Sequence, residues 1–549
     1  MNETFDFVVV GSGGGAFSAA LAMRAAGKSV VILEKLDKVG GTTAVSGGVM
    51  WIPNNRYMRE AGVSDSRAQA IEYMDAVIED GEDTPGTSHE RRVKYVDSSV
   101  EMLEFLVSQG LRFRRVPSWP DYYPGPGESV PGRTVVSELF DLNQLGEWKE
   151  RLQPGFLPLA AYLEEAMQLA NMKRNWAGKK ALFTVLGRTI GNRLRGRNLA
   201  TAGQALQGQM LHKALAAGVD VRTGAGVQEL VEENGRVTGV KISKDGKDWL
   251  IGATLGVLVN AGGFSRNQQL RDQYIPETSA EWTLTAAGDT GEMLLEGQRH
   301  GAALAQMDQR IGNPMTFLPD GKPAIVHGDM AKPHSIVVDQ NAQRYMSEAA
   351  SYVEVGKSIL SHQANAPAIP SWLVFDSQFI DTYMLAGSMP GSKKPKEWTE
   401  SGFLKSAASI EELAAQCELD PAALAATVDR FNGFAKAGKD EDFGRGSHVY
   451  HGWLGDPLNE QAPTLGAVEQ GPFYAIKVYP GDVSTFGGML TDCDARVLRE
   501  DGSVIEGLYA TGTSTASVMG KNAPGAGASI GPSVTWGYVA AQHALAAAP

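Results

Sequence analysis

Phe5, Phe7, Val8, Val9 and Val10 form an apolar run broken only by Asp6, the pattern of a strand buried on both faces. An alanine-rich helical stretch over 16–26 stops at Gly27, and Val30, Val31, Ile32 and Leu33 make a second buried strand. Helical patterns cover 66–110, with a loop at 80–86, and much of 146–200. Residues 117–127 hold four prolines and three aromatics, so they form an irregular loop of the kind that lines an apolar pocket. A helix is expected over 205–217 and a strand over 219–223. A hairpin follows about Asn234-Gly235, and then an apolar strand over 255–260. Beyond about 275 the pattern breaks into short mixed segments. Glycine-rich strands then return, and a helix over 532–547 closes the chain. These elements predict an α/β fold. A Rossmann-like domain covers 1–275 with a helical insertion about 146–200, an α+β substrate domain is inserted over 276–460, and the first domain resumes over 461–549.

The turn between the first strand and helix reads Gly11-Ser12-Gly13-Gly14-Gly15-Ala16. Gly11 permits the tight turn, Gly13 lets backbone amides approach a pyrophosphate, and small Ala16 lets the helix pack on the strand. The helix N-terminus then faces the phosphates with its partial positive charge. Glu34 ends the second strand 23 residues after Gly11, where a carboxylate meets a ribose 2′-hydroxyl. An acid there favours FAD or NAD over NADP. The loop Gly40-Gly41-Thr42-Thr43-Ala44-Val45-Ser46-Gly47-Gly48 follows, with amides able to wrap a phosphate or lie against a ring.

Composition narrows the setting. The 549 residues exceed one core, and the 43% hydrophobic fraction is that of a globular protein. A net charge of −13 disfavours nucleic acid as a partner. No apolar run approaches a membrane span, and no basic leader precedes residue 5. Cys417 and Cys493 lack metal-like spacing, so no metal site is expected and a cytoplasmic setting with reduced thiols is. Arg188, Arg193, Arg195 and Arg197 form a basic cluster, either a solvated face or a peripheral contact with a membrane or partner.

Taken together the motifs resemble the fumarate reductase and 3-ketosteroid dehydrogenase superfamily of FAD flavoproteins. They are the Gly11 loop, Glu34 to Gly48, Ala261-Gly262-Gly263-Phe264, Gly288-Asp289-Thr290-Gly291, Arg344-Tyr345-Met346-Ser347-Glu348, Phe443-Gly444-Arg445-Gly446, Gly487-Gly488-Met489 and the terminal loop from Ala523 to Gly531. Trp119-Pro120-Asp121-Tyr122 and Glu348-Ala349-Ala350-Ser351-Tyr352 resemble the 3-ketosteroid delta-1-dehydrogenase branch. The resemblance implies FAD held by Gly11, Ser12, Gly13, Gly14, Gly15, Ala16, Glu34, Lys35, Gly41, Thr42, Thr43, Ser46, Gly47, Val227, Ala261, Gly262, Gly512, Ser529 and Ile530. It implies desaturation beside a ketone, with electrons leaving to an external acceptor. Tyr352 takes the α-proton, Tyr122 assists it, the Gly527 amide holds the carbonyl oxygen, and flavin N5 accepts the hydride. Fumarate reduction needs an arginine in the terminal loop, and none lies between Ala523 and Gly531.

One position departs from the branch. The steroid enzymes carry a tyrosine before the Pro-Gly of the terminal loop as second carbonyl donor, and here Ala523 precedes Pro524-Gly525. Asn522 or Lys521 is then expected to supply the contact, or the substrate is held differently. A smaller cyclic ketone such as an oxocyclohexane carboxylate, its carboxylate met by Lys521 or an arginine, is one alternative. Delta-4 desaturation and a flavin-binding carrier without catalysis are others.

Overall fold

The computed structural model describes residues 1–81, 85–244, 246–459 and 462–548. Part of the expected 80–86 loop and the expected boundary at 460/461 therefore lie outside the described residues. Strand β1 (Glu3–Val10) pairs in parallel with β2 (Val30–Leu33) on one side and with Lys247–Val259 on the other. Asp220–Arg222 adds in parallel beyond β2, and Val504–Ala510 beyond Lys247–Val259. Val227–Glu233, Arg236–Lys244 and Arg496–Leu498 complete an eight-stranded sheet. The turn between Val227–Glu233 and Arg236–Lys244 places Asn234 at φ 52° and Gly235 at φ 79°, the left-handed pair a two-residue hairpin requires.

Helix α1 (Gly14–Ala25) follows the glycine turn and packs against the helix Ile530–Ala546. The approach is close enough that a Cβ on Gly537 would collide with the Gly15 carbonyl. Helix 202–216 lies on the far flank of α1, so alanine and glycine faces seal the sheet's edge near the turn. The expected apolar strand at 255–260 is the second half of a longer strand, Lys247–Val259. Its first half pairs with Arg236–Lys244 and is exposed at its start, so apolar content alone does not reveal it. The Gly40–Gly48 segment is a loop only in part, because Gly41–Val45 is a short helix, α2, entered through Gly40 at φ 110°.

A second sheet of four antiparallel strands joins Ser335–Val338, Ser371–Phe375, Phe473–Val478 and Lys405–Ala407 in that order. Asp482–Thr485 pairs with Arg310–Gly312 beside it. Residues 473–478 serve the second sheet, and the first sheet resumes only at Arg496–Leu498. Helices in the 146–200 stretch are confined to 163–169 and 176–194, with a 3-10 segment at 142–149. Among the described residues no helix is long and apolar enough to cross a membrane.

Candidate active site

The ends of β1, β2 and Lys247–Val259 open onto a cavity of about 1440 Å³ that reaches Ile311 and Val483 on the paired strands Arg310–Gly312 and Asp482–Thr485. That exceeds the usual range for one small ligand, roughly 300–1,000 Å³, and leaves room for two molecules end to end. Gly11, Ser12 and Gly13 line its phosphate region beside the N-terminus of α1. A Cβ on Gly11 would strike the Asn260 carbonyl, and one on Gly13 would lie 2.8 Å from Asn260 Oδ1, so only glycine fits either place. Gly41, Thr42, Thr43, Ser46 and Gly47 form the next stretch of wall, and Ala261, Gly262, Ser529 and Ile530 face them.

Glu34, Lys35 and Val227 mark the far end of this groove. The Ser12 hydroxyl donates to Glu34 Oε2 at 2.6 Å and the Leu36 amide to Oε1 at 2.9 Å. Burial raises the Glu34 carboxyl above its usual range while these hydrogen bonds oppose the shift. The glycine cradle, the helix N-terminus and the placed carboxylate fit a dinucleotide. Four of the expected contacts are not among the lining residues. Gly14, Gly15, Ala16 and Gly512 do not line the cavity. A Cβ on Gly14 would reach Val534, one on Gly15 Ser533 and Thr511, and one on Gly512 Asn260 and Ser533. The Ala16 amide donates to Asn260 Oδ1 at 2.9 Å. These positions allow close packing behind the cofactor groove, and Asn260 and Asp289, which line it, were missed by reading the sequence.

At the other end, Tyr352 and Tyr122 meet with ring centroids 5.7 Å apart, edge to face. Tyr352 is the first residue of the helix Tyr352–Gln363, capped by the Ser351 hydroxyl, which accepts from the Glu354 amide. The phenol therefore sits at the positive end of a helix dipole. Burial raises its pKa and the hydrogen bond from Tyr122 lowers it, leaving a net rise. Tyr122 is held at both sides of its backbone. Its amide donates to the Pro524 carbonyl at 2.9 Å, and neighbouring Asp121 accepts from Trp51 Nε1 at 2.8 Å and pairs with Arg133 at 2.7 Å. The aromatic loop is thereby tied to the terminal glycine loop. Gly527 lines the cavity at φ 97°, and among the described residues its N–H has no hydrogen-bond partner.

Two further aromatic groups close on this pair. The Tyr450 ring lies 4.5 Å from that of Tyr122. His327 stands edge-on to Tyr352 at 5.8 Å, its Nε2 within 2.8 Å of the Ala350 carbonyl, and burial holds it down at about 4, so it is neutral at pH 7. Neither carries a motif that would reveal it in the sequence, since both come from segments remote from residue 352. Asn522 and Lys521 do not take the place left at Ala523. Asn522 is committed to the Val77 carbonyl and to Lys357, and Lys521 pairs with Glu79 at 3.4 Å. Neither lines the cavity. The Tyr123 hydroxyl, on the loop beside it, meets the Ser351 hydroxyl and donates to Glu354, both at 3.2 Å.

Residues 6–530 match the family described as an FAD binding domain. The chain is 38% identical to a 3-oxosteroid 1-dehydrogenase of Mycolicibacterium smegmatis, across 100% of this chain and 98% of that protein. The chain belongs to this family of FAD-binding proteins. A 4-oxocyclohexanecarboxylate 2-dehydrogenase of Sinomonas cyclohexanicum is 34% identical over 98% of this chain and 92% of its own. In structure this chain superposes with a TM-score of 0.93 on the 3-ketosteroid delta1-dehydrogenase of Sterolibacterium denitrificans, solved with 1,4-androstadiene-3,17-dione, at 34% identity and 100% coverage of both chains. This chain is thus an FAD-dependent oxidoreductase of the 3-ketosteroid dehydrogenase type, acting on CH–CH groups beside a ketone.

As a member of this family the chain shows one feature that bears on substrate. Beyond Tyr352 the cavity is walled by Phe156, Pro323, Ala324, Ile325, Ala386 and Gly387. Among its described lining residues the only cations are Lys35 and Arg299, both in the region of Glu34 and Glu296 at the opposite end.

Proposed function

We propose that this protein desaturates a neutral, apolar, polycyclic ketone of 3-oxosteroid size, forming the double bond between the carbons α and β to the carbonyl. The observation that carries this reading is the cation-free apolar wall beyond Tyr352. A monocyclic oxo-carboxylate would bring a charge there with no partner, at a cost of several kcal/mol. A steroid nucleus fills the same wall with apolar area. In the proposed reaction the Gly527 N–H holds the ketone oxygen, so negative charge develops there as the α-proton leaves. Tyr352 removes that proton. The Tyr122 hydroxyl donates to the resulting phenolate position, and the helix N-terminus at 352 favours the same charge. Bound FAD, for which the glycine cradle and Glu34 provide the seat, supplies the hydride acceptor, and an external electron acceptor is expected to restore it. The two unpaired cysteines support a cytoplasmic location.

Tyr352→Phe keeps the ring and deletes the hydroxyl. In anaerobic stopped flow with a 3-oxosteroid, flavin bleaching should slow by roughly 100- to 10,000-fold, the range of general base catalysis. Steroid affinity should hardly change. Wild-type speed in the variant would move the base elsewhere. Bleaching by an oxocyclohexane carboxylate and by no steroid would overturn the substrate class.

A further inference from the structure

Asn313 lines the cavity, is 9% exposed, and has a side chain without a partner. Its Oδ1 is enclosed and accepts no hydrogen bond, and among the described residues its Nδ2 donates none. Buried carboxamides are paired in most proteins, because an unmet donor or acceptor has given up its hydrogen bonds to water. The fold does not need this one. The Asn313 backbone is held by other contacts. Its amide donates to the Gly481 carbonyl at 2.7 Å, and the Pro314 carbonyl after it accepts from the Val326 amide at 3.1 Å. Gly312 before it lies so close to Gly356 that a Cβ on Gly356 would stand 2.9 Å from the Gly312 Cα. Arg310 fastens the same strand to the carbonyls of Pro480, Gly481 and Gly356. These ties also place the carboxamide. Gly356 is one turn past Tyr352, about 6 Å along that helix. On its other side Asn313 leads into the hairpin of Met315–Phe317 and Pro323–Ile325, whose second strand lines the cavity and ends at the exposed Ile325. Asn313 therefore belongs to the wall between Tyr352 and that rim. Ser484, the other polar lining side chain of this strand pair, lies towards Thr485, which abuts Gly263 beside the flavin seat.

We propose that Asn313 is a specificity-determining residue that meets a second, neutral oxygen of the substrate, a hydroxyl or oxo group on a ring other than the one that carries the reacting ketone. The proposal rests on the substrate reading above and narrows it. A carboxamide both donates and accepts, and a half-turn about χ2 exchanges its two ends, so it can meet either kind of oxygen. A carboxylate is the poorer partner, because no cation lines this part of the cavity. A purely hydrocarbon ring would expel water from the carboxamide and return nothing, which opposes binding. The contact lies away from the atoms that react. It acts alike on bound ketone and transition state, and so governs affinity and not the limiting rate.

The test titrates the FAD-loaded protein anaerobically with four ketones that share one nucleus: androst-4-en-3-one and its 17-oxo, 17β-hydroxy and 11β-hydroxy derivatives. The shift of the flavin band reads affinity, and its bleaching reads rate. Wild type should bind at least one of the three oxygenated ketones roughly 5- to 100-fold more tightly than androst-4-en-3-one, the effect of one buried hydrogen bond. In Asn313→Leu, which keeps the volume, that preference should vanish while the limiting bleaching rate with androst-4-en-3-one stays at the wild-type value. Asn313→Ala should show the same loss of preference, and both variants should keep their FAD. Equal preference in wild type and both variants, or no preference in wild type, would overturn the proposal and leave the substrate reading standing. Loss of FAD from both variants would give Asn313 a structural role and overturn it as well. Binding without bleaching in every form would remove the desaturation reading, and the affinity ratios would still decide the role of Asn313. A wild type that binds none of the four would overturn both.

Discussion

Tyr352 lies under opposed influences whose sum fixes the pH behaviour of the reaction. Burial raises its pKa above the usual value of about 10, and the Tyr122 hydrogen bond lowers it without cancelling the rise. At neutral pH the phenol is therefore protonated in the substrate-free protein, and the reactive form gains population as pH increases. Single-turnover flavin bleaching should climb steadily from pH 7 towards pH 10 with no plateau below about 10. Tyr122→Phe removes the lowering bond, so its profile should move further alkaline. An acid-side plateau in wild type would mean that the base is not this phenol. At the cofactor end, Glu34→Ala leaves a site without its ribose carboxylate. Purified variant should retain less FAD than wild type, with the same preference among ketones in the fraction that keeps it; full occupancy would remove Glu34 from the role. Where chemistry and spacing coincide, as at Gly11, Gly13, Glu34, Tyr122 and Tyr352, the residues singled out in the sequence line the cavity. Reading the sequence failed at Asn522, because adjacency to Ala523 says nothing of side-chain direction, and the amide faces Val77 and Lys357.

The element that positions Tyr352 is braced from behind. Glu348 takes Arg344 at 2.8 Å, Arg445 at 3.1 Å and the Val337 amide at 3.0 Å, and Arg344 also pairs with Asp440 at 3.0 Å. All of these side chains are buried, so the two sequence motifs around 344–348 and 443–446 are structural ties that fix the turn before residue 352. The two arginines hold the Glu348 carboxyl down at about 2. A depressed carboxyl contributes stability that is complete above its unfolded value, about 4.3, and is lost as pH falls through about 2. Glu348→Gln leaves buried guanidinium charge uncompensated and should cost about 3–5 kcal/mol in urea unfolding at pH 7. The gap to wild type should narrow as pH is lowered from about 4. An unchanged urea midpoint at pH 7 would show that the cluster is dispensable. The strands and helices of the first sheet were legible because their apolar runs are long and continuous. Strand 473–478, which pairs in the second sheet, was not legible in the sequence, since a short run carries no mark of the partner it will pair with.

For the molecule as a whole, we propose a division into a dinucleotide-binding part and an inserted part, both of which contribute residues to the cavity. No histidine or cysteine is among the described residues lining that cavity, so the flavin is expected to be held without a covalent link. Acid precipitation should release all of the yellow colour into the supernatant, and a coloured pellet would point to a covalent link. The close fit of α1 against the helix Ile530–Ala546 has a consequence for biosynthesis. The first helix made must wait for the last before its alanine face is covered, since the contact joins residues more than 500 positions apart. At ribosomal rates of about 5–20 residues per second, that wait is roughly 25 to 100 s. Throughout it the nascent N-terminal unit displays an apolar surface and an unfinished nucleotide seat, so flavin capture is expected to follow the arrival of the helix Ile530–Ala546, a point that FAD binding to stalled nascent chains of increasing length would check.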